Sequence, residues 1–301
     1  MELTVRIGNR KLPNPVGVAS GTFGYGSEYE ELVDLSGLGA IYSKAVTPEP
    51  RPGNDIPRII ETPAGLLNSI GLANVGLDRF ISEKLPLFRR FPCPVIVNVA
   101  GKNDEDYCRV VEELDEYDEV WGYEINLSCP NVKEGCLAFG SNPAYVEGLT
   151  RKLRDLSTKP MIIKLTPNVT DIASIAKAAE AGGADAVSCI NTLVGMVIDI
   201  HKKAPVLPAG TGGLSGPAIK PVGIAAVYRV KRAIHIPVIG IGGIQGADDA
   251  IEYLLAGASA VQIGTATFVD PAAPVKVLAG IKAYMEKERL ESLKDFHQYI
   301  P

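Results

Sequence analysis

A chain of 301 residues with 46% hydrophobic and 22% charged residues has apolar material for a large core, which excludes a disordered protein. A formal net charge of -5 argues against a nucleic-acid partner, which wants a basic face. No apolar run reaches the roughly 18 residues of a membrane span.

The first eleven residues alternate apolar and charged side chains and carry no secretory apolar stretch, so a soluble, cytoplasmic protein is expected. Five cysteines, Cys93, Cys108, Cys129, Cys136 and Cys189, are odd in number and include no C-x-x-C pair. Neither a disulfide framework, a zinc site nor an iron–sulfur cluster on this chain is predicted, and no metal is expected.

In chain order, a hairpin is expected over 3–12, followed by eight short, often β-branched runs at 15–19, 40–43, 94–99, 122–127, 160–165, 186–190, 237–241 and 260–263. Their near-continuous apolarity suits parallel strands buried on both faces. Pro94, Pro160 and Pro237 stand at strand entries, where a missing N–H costs least.

Amphipathic stretches at 104–114, 143–156, 171–181, 247–256 and 273–287 lie between the runs and predict helices. Thr170-Asp171 supplies an N-cap to the third, and Gly182-Gly183 ends it. Between 193 and 217 no helical period appears. The β-branched run 196–201 and the Gly/Pro-rich stretch 208–216 predict extra strands inserted after the sixth strand.

Strands alternating with helices over 1–301 predict a single domain, a (β/α)8 TIM barrel with an N-terminal hairpin. A doubly wound open sheet is the second solution of the same pattern.

In such a barrel chemistry gathers at the C-terminal strand ends. These ends carry Ser20, Lys44, Ala45, Asn98, Asn126, Lys164, Asn191, Thr192, Gly242, Gly243, Gly264 and Thr265. Three amides offer donor and acceptor together, which complements a heterocycle bearing imide groups; the alternative is that each caps a turn. Glycines after the last two strands, with Gly216 ahead of a helix opening at Pro217, allow backbone N–H groups close to a phosphate. Lys164 would then stand near the ring system of a phosphate-bearing cofactor, where a cation stabilises a reduced flavin; the alternative is a lysine reaching solvent.

Cys129 follows a strand end and opens a glycine-containing loop over 131–140, a setting in which a thiolate acts as general base. A lone cysteine is otherwise a small hydrophobe. Cys136 is its one rival as a reactive thiol; Cys93, Cys108 and Cys189 lack such context. The histidines His201, His235 and His297 form no triad, which excludes serine- and zinc-hydrolase readings.

The segments Gly17-Val18-Ala19-Ser20-Gly21-Thr22, 58–71, Asn126-Leu127-Ser128-Cys129-Pro130-Asn131 and Ile241-Gly242-Gly243-Ile244 resemble the class 1 dihydroorotate dehydrogenases over essentially the whole chain. The resemblance implies a barrel holding one FMN and oxidation of dihydroorotate to orotate in pyrimidine biosynthesis. It implies that Cys129 takes the C5 proton; class 2 members carry serine there. It implies a substrate site of Lys44, Asn68, Ser69, Ile70, Gly71, Leu72, Asn126, Asn191 and Thr192. It implies an FMN site of Ser20, Lys44, Ala45, Asn98, Asn126, Lys164, Ile190, Gly216, Gly242, Gly243, Gly264 and Thr265.

The stretch 61–68 is similar to the 1B subgroup and not to the fumarate-using 1A subgroup. That likeness implies a homodimer flanked by electron-transfer subunits, a heterotetramer in which the partner carries FAD and a 2Fe–2S cluster and reduces NAD. No G-x-G-x-x-G follows an N-terminal strand here, so NAD reduction would need that partner. Other solutions are a 1A-type enzyme, a dihydrouridine synthase, which wants a basic RNA-binding surface, and an idle flavin barrel.

Overall fold

The computed structural model describes residues 1–127 and 139–298. Eight strands close into a barrel: β1 (Val16–Val18), β2 (Ala40–Tyr42), β3 (Val95–Val99), β4 (Gly122–Asn126), β5 (Met161–Leu165), β6 (Ala186–Cys189), β7 (Val238–Ile241) and β8 (Ala260–Ile263). Each strand pairs in parallel with its neighbours in sequence, and β8 closes on β1 with Ile263 opposite Val18. This is the (β/α)8 barrel expected from the alternation. Every barrel strand falls within its predicted run, and the three prolines sit one residue before β3, β5 and β7.

The helices are α1 (Asp104–Asp115), α2 (Pro143–Leu156), α3 (Ile172–Ala181), α4 (Lys220–Lys231), α5 (Ala247–Leu255) and α6 (Ala273–Glu288). They form where the apolar period is helical. In α1 the buried positions are Tyr107, Val110, Val111 and Leu114, and in α2 Val146, Leu149, Thr150 and Leu153, one stripe each against the barrel. Side-chain caps fix their starts: Asn103 accepts from the Asp106 N–H, Asn142 from Ala144 and Tyr145, and Asp171 from Ala173.

The N-terminal hairpin, Val5–Ile7 with Arg10–Leu12, lies at the bottom of the barrel. There Arg10 donates to the carbonyls of Val120 and Trp121, at 3.3 and 2.8 Å, where the chain enters β4.

At the opposite end the insertion after β6 does contain extra strands, Leu193–Gly195, Ile198–Asp199, Ala204–Pro205 and Gly212–Ser215. Two of them join a hairpin from the β2–β3 connection, Ile59–Thr62 with Gly65–Asn68, in a four-stranded antiparallel sheet. That hairpin and the helical run 77–90 that follows it lay outside the predicted elements. The hairpin gains its partner only from residues some 145 positions away, as between Asn68 and Gly213.

Candidate active site

Interior positions of a small barrel are usually branched apolar side chains stacked in layers. Here the layer beneath the C-terminal mouth is polar. Glu124 of β4 is fully buried and accepts four hydrogen bonds from four other strands. Its Oε2 accepts from Asn98 Nδ2 at 2.7 Å and Lys164 Nζ at 3.4 Å. Its Oε1 accepts from Ser188 Oγ and Gln262 Nε2, each at 2.8 Å. Tyr42 completes this layer from β2; burial first, and Glu124 second, push its phenol well above the usual range.

Above the layer the predicted rim residues converge. Lys164 is only 5% exposed, so its amine does not reach solvent, and its Nζ also lies 3.4 Å from Ser20 Oγ. Asn126 and Asn191 meet across the ends of β4 and β6, with Asn191 Nδ2 donating to Asn126 Oδ1 at 3.4 Å. Thr192 is fixed to this pair, its N–H donating to Asn191 Oδ1 at 2.8 Å. Ile190 is buried and donates to the Ile241 carbonyl at 3.1 Å, which sets the end of β6 beside Gly242.

Lys44 is half-buried beyond β2. Desolvation holds its pKa below the ordinary lysine value; Glu28 opposes this and Arg58 adds to it. Ala45 next to it is buried, and the Val46 N–H donates to the Asn98 carbonyl.

The stretch 68–72, expected from the resemblance to meet substrate, starts at the end of a strand in the sheet above the mouth. Asn68 Nδ2 donates to the Gly213 carbonyl at 3.1 Å, and Asn54 holds Ser69 by its hydroxyl and carbonyl. Ile70 accepts from the Asn54 N–H, and the chain turns at Gly71 and Leu72, both with positive φ.

The glycine turns also come together. Thr265 Oγ1 donates to Ser215 Oγ at 2.8 Å, and a side chain placed on Gly243 would stand 2.9 Å from the Gly216 carbonyl oxygen. Gly243 has φ +70°, and its Cβ would also press on the backbone of Lys220, so only glycine fits this turn. Among the described residues, the N–H groups of Gly243, Gly264 and Thr265 donate to no backbone carbonyl. Such a cluster of open N–H groups after β7 and β8 suits a phosphate. Asn98 Oδ1 is buried with no donor among the described residues, an acceptor fit for a ring N–H. The donor set therefore fits a flavin nucleotide.

Cys129, Cys136 and most of the loop predicted over 131–140 lie outside the described residues. On either side of them, the Gly140 N–H donates to the Leu127 carbonyl at 3.1 Å, and Tyr107 holds the Asn126 carbonyl at 2.8 Å. The three described cysteines are free thiols, and burial raises the pKa of each, that of Cys93 up to about 12. None of these three is poised as a thiolate. No three His, Cys, Asp or Glu side chains gather as a metal site among the described residues, and no described helix is long and apolar enough to cross a membrane.

Sequence reasoning overlooked Glu124, Ser188, Gln262 and Tyr42. The available signal was a polar side chain in the middle of strands otherwise built to be buried on both faces, as in Gly122-Tyr123-Glu124-Ile125.

The family model described as dihydroorotate dehydrogenase matches residues 2–285. The chain belongs to the dihydroorotate dehydrogenase family. It is 52% identical over 295 residues to a protein of Alkaliphilus metalliredigens (strain QYMF), covering 98% of this chain and 97% of the relative. It is 51% identical over 294 residues to one of Geotalea daltonii (strain DSM 22248 / JCM 15807 / FRC-32), covering 98% and 96%. Both relatives are named dihydroorotate dehydrogenase B (NAD(+)), catalytic subunit. The family's fold agrees with the barrel, and its members' activity makes this chain an oxidoreductase.

Proposed function

We propose that this chain is the catalytic subunit of an NAD-linked dihydroorotate dehydrogenase, oxidising dihydroorotate to orotate for pyrimidine biosynthesis. In this reading 1–301 is one cytoplasmic, FMN-binding domain, paired as a homodimer with an electron-transfer subunit that carries FAD and a 2Fe–2S cluster. The observation that carries the reading is the convergence, over one barrel mouth, of the Asn126–Asn191 amide pair, the Lys164 ammonium and the open N–H groups of Gly243, Gly264 and Thr265. Its weight is increased by relatives alike in sequence over nearly their full length.

Lys44 would neutralise the substrate carboxylate, and Asn68, Asn126, Asn191 and Thr192 would match the donors and acceptors of its ring. The turn 69–72 would line the same side. Ser20, Ala45, Asn98, Lys164 and Ile190 would hold the isoalloxazine, with Gly216, Gly242, Gly243, Gly264 and Thr265 around the phosphate. Cys129 stands three residues past the end of β4 in sequence, and its thiolate would take the C5 proton of the substrate. The chemistry that a bound FMN would supply is acceptance of the hydride leaving C6. Lys164 would then offset negative charge on the reduced ring system.

The test is purification of the chain alone. It should be yellow, release FMN on denaturation, bleach anaerobically on addition of dihydroorotate and pass electrons to artificial dyes but not to NAD. A colourless protein that takes up no flavin would end the reading, and direct NAD reduction would remove the partner from it.

A further inference from the structure

A carboxylate in the middle of a barrel needs a reason, because burying it is costly unless every oxygen is met by donors. Glu124 is met on both oxygens, but unequally in kind. The Oε1 side faces Ser188 and Gln262, neither of which is assigned to the flavin or the substrate. The Oε2 side faces Asn98 and Lys164, both assigned above to the isoalloxazine.

The Asn98 amide has two ends, and Glu124 decides which is used. A carboxylate accepts, so the amide turns its NH2 inward at 2.7 Å. Oδ1 is then left buried and without a donor among the described residues. The same oxygen of Glu124 tethers the Lys164 ammonium.

We propose that Glu124 is a positioning residue for the flavin: it turns Asn98 so that Oδ1 is free to accept from a ring N–H, and holds the Lys164 cation beside it. This rests on the FMN reading above and deepens it. The imide edge of a flavin carries an N–H flanked by carbonyl oxygens, so it requires an acceptor and donors side by side. An Asn98 turned the other way would set donor against donor.

Glu124→Gln tests this. The amide keeps one accepting oxygen and brings two new donors, and Asn98 is then free to flip and accept from it. Apoprotein of the parent and of Glu124→Gln, Asn98→Ala and the double variant is titrated with FMN by flavin fluorescence, alongside visible spectra, flavin midpoint potentials and thermal unfolding of the apo form. Glu124→Gln should weaken FMN binding by about tenfold or more and alter both the spectrum and the potential. Adding Asn98→Ala to it should cost far less affinity than Asn98→Ala costs the parent, because the oxygen it removes is already misplaced.

An FMN dissociation constant for Glu124→Gln within about twofold of the parent, or equal losses for Asn98→Ala in both backgrounds, overturns the proposal. A purely structural Glu124 would lower the apo melting temperature and leave the two losses additive. If Glu124→Gln does not fold, the same cycle is run with Lys164→Met throughout, which removes the lone ammonium. A parent that binds no FMN would defeat the function reading itself; a parent and a Glu124→Gln variant that bind it equally would defeat this inference alone.

Discussion

Lys44 and Lys164 are two buried-side cations with different surroundings, and they answer to different measurements. Lys44 sits mainly against desolvating protein, with Glu28 and Arg58 pulling in opposite directions, and its pKa falls below the 10.5 of a free lysine. A substrate carboxylate needs the ammonium form, so kcat/KM should fall as pH rises through that lowered pKa, with the alkaline limb below pH 10.5. In Lys44→Arg, whose guanidinium stays charged, the limb should move to higher pH even if the overall rate drops. An unchanged limb would remove Lys44 from carboxylate binding. Lys164→Ala should loosen FMN or slow its reduction; unchanged absorbance and turnover would count against its role. The rim side chains were legible one by one, because a strand end is fixed by the strand before it. Glu124 was not, since its partners come from four strands and a single strand reveals only that something polar is buried.

At the scale of elements, two glycines hold the mouth together. Gly65 packs so closely that an added Cβ would lie 2.0 Å from the Ser215 carbonyl oxygen, where the hairpin Gly65–Asn68 meets the inserted strand Gly212–Ser215. Gly65→Ala should part these strands, lowering stability by about 1–3 kcal/mol in thermal unfolding. It should also raise KM for dihydroorotate, because Asn68 rides on the same strand. Gly243→Ala should instead act on the cofactor: its φ of +70° and the Lys220 backbone resist a side chain, so FMN affinity should fall with KM for substrate little changed. Melting curves and FMN titrations separate the two. The barrel strands and most helices could be read from local period and proline placement. The hairpin at 59–68 could not, because its burial pattern alternates weakly and its partner strand is remote in sequence.

The whole molecule follows from the repetition of one unit. Eight buried strands, each followed by a connection that returns across the outside, close only as a parallel barrel, and closure brings the ends of β1 and β8 together. Loops far apart in sequence thereby share one mouth, as Ser20 and Lys164 do from positions separated by 144. The doubly wound alternative, the second solution of the same pattern, would have left an open edge where β8 instead pairs with β1. The chemistry proposed for that mouth depends on a thiolate from Cys129 acting with a flavin held by the rim. The most direct measurement is the anaerobic rate at which dihydroorotate bleaches the flavin in the parent and in Cys129→Ala, both loaded with FMN. The account predicts that the variant stays yellow and reduces about 10²–10⁴-fold more slowly, the usual worth of a general base. Equal rates in the two proteins would contradict it.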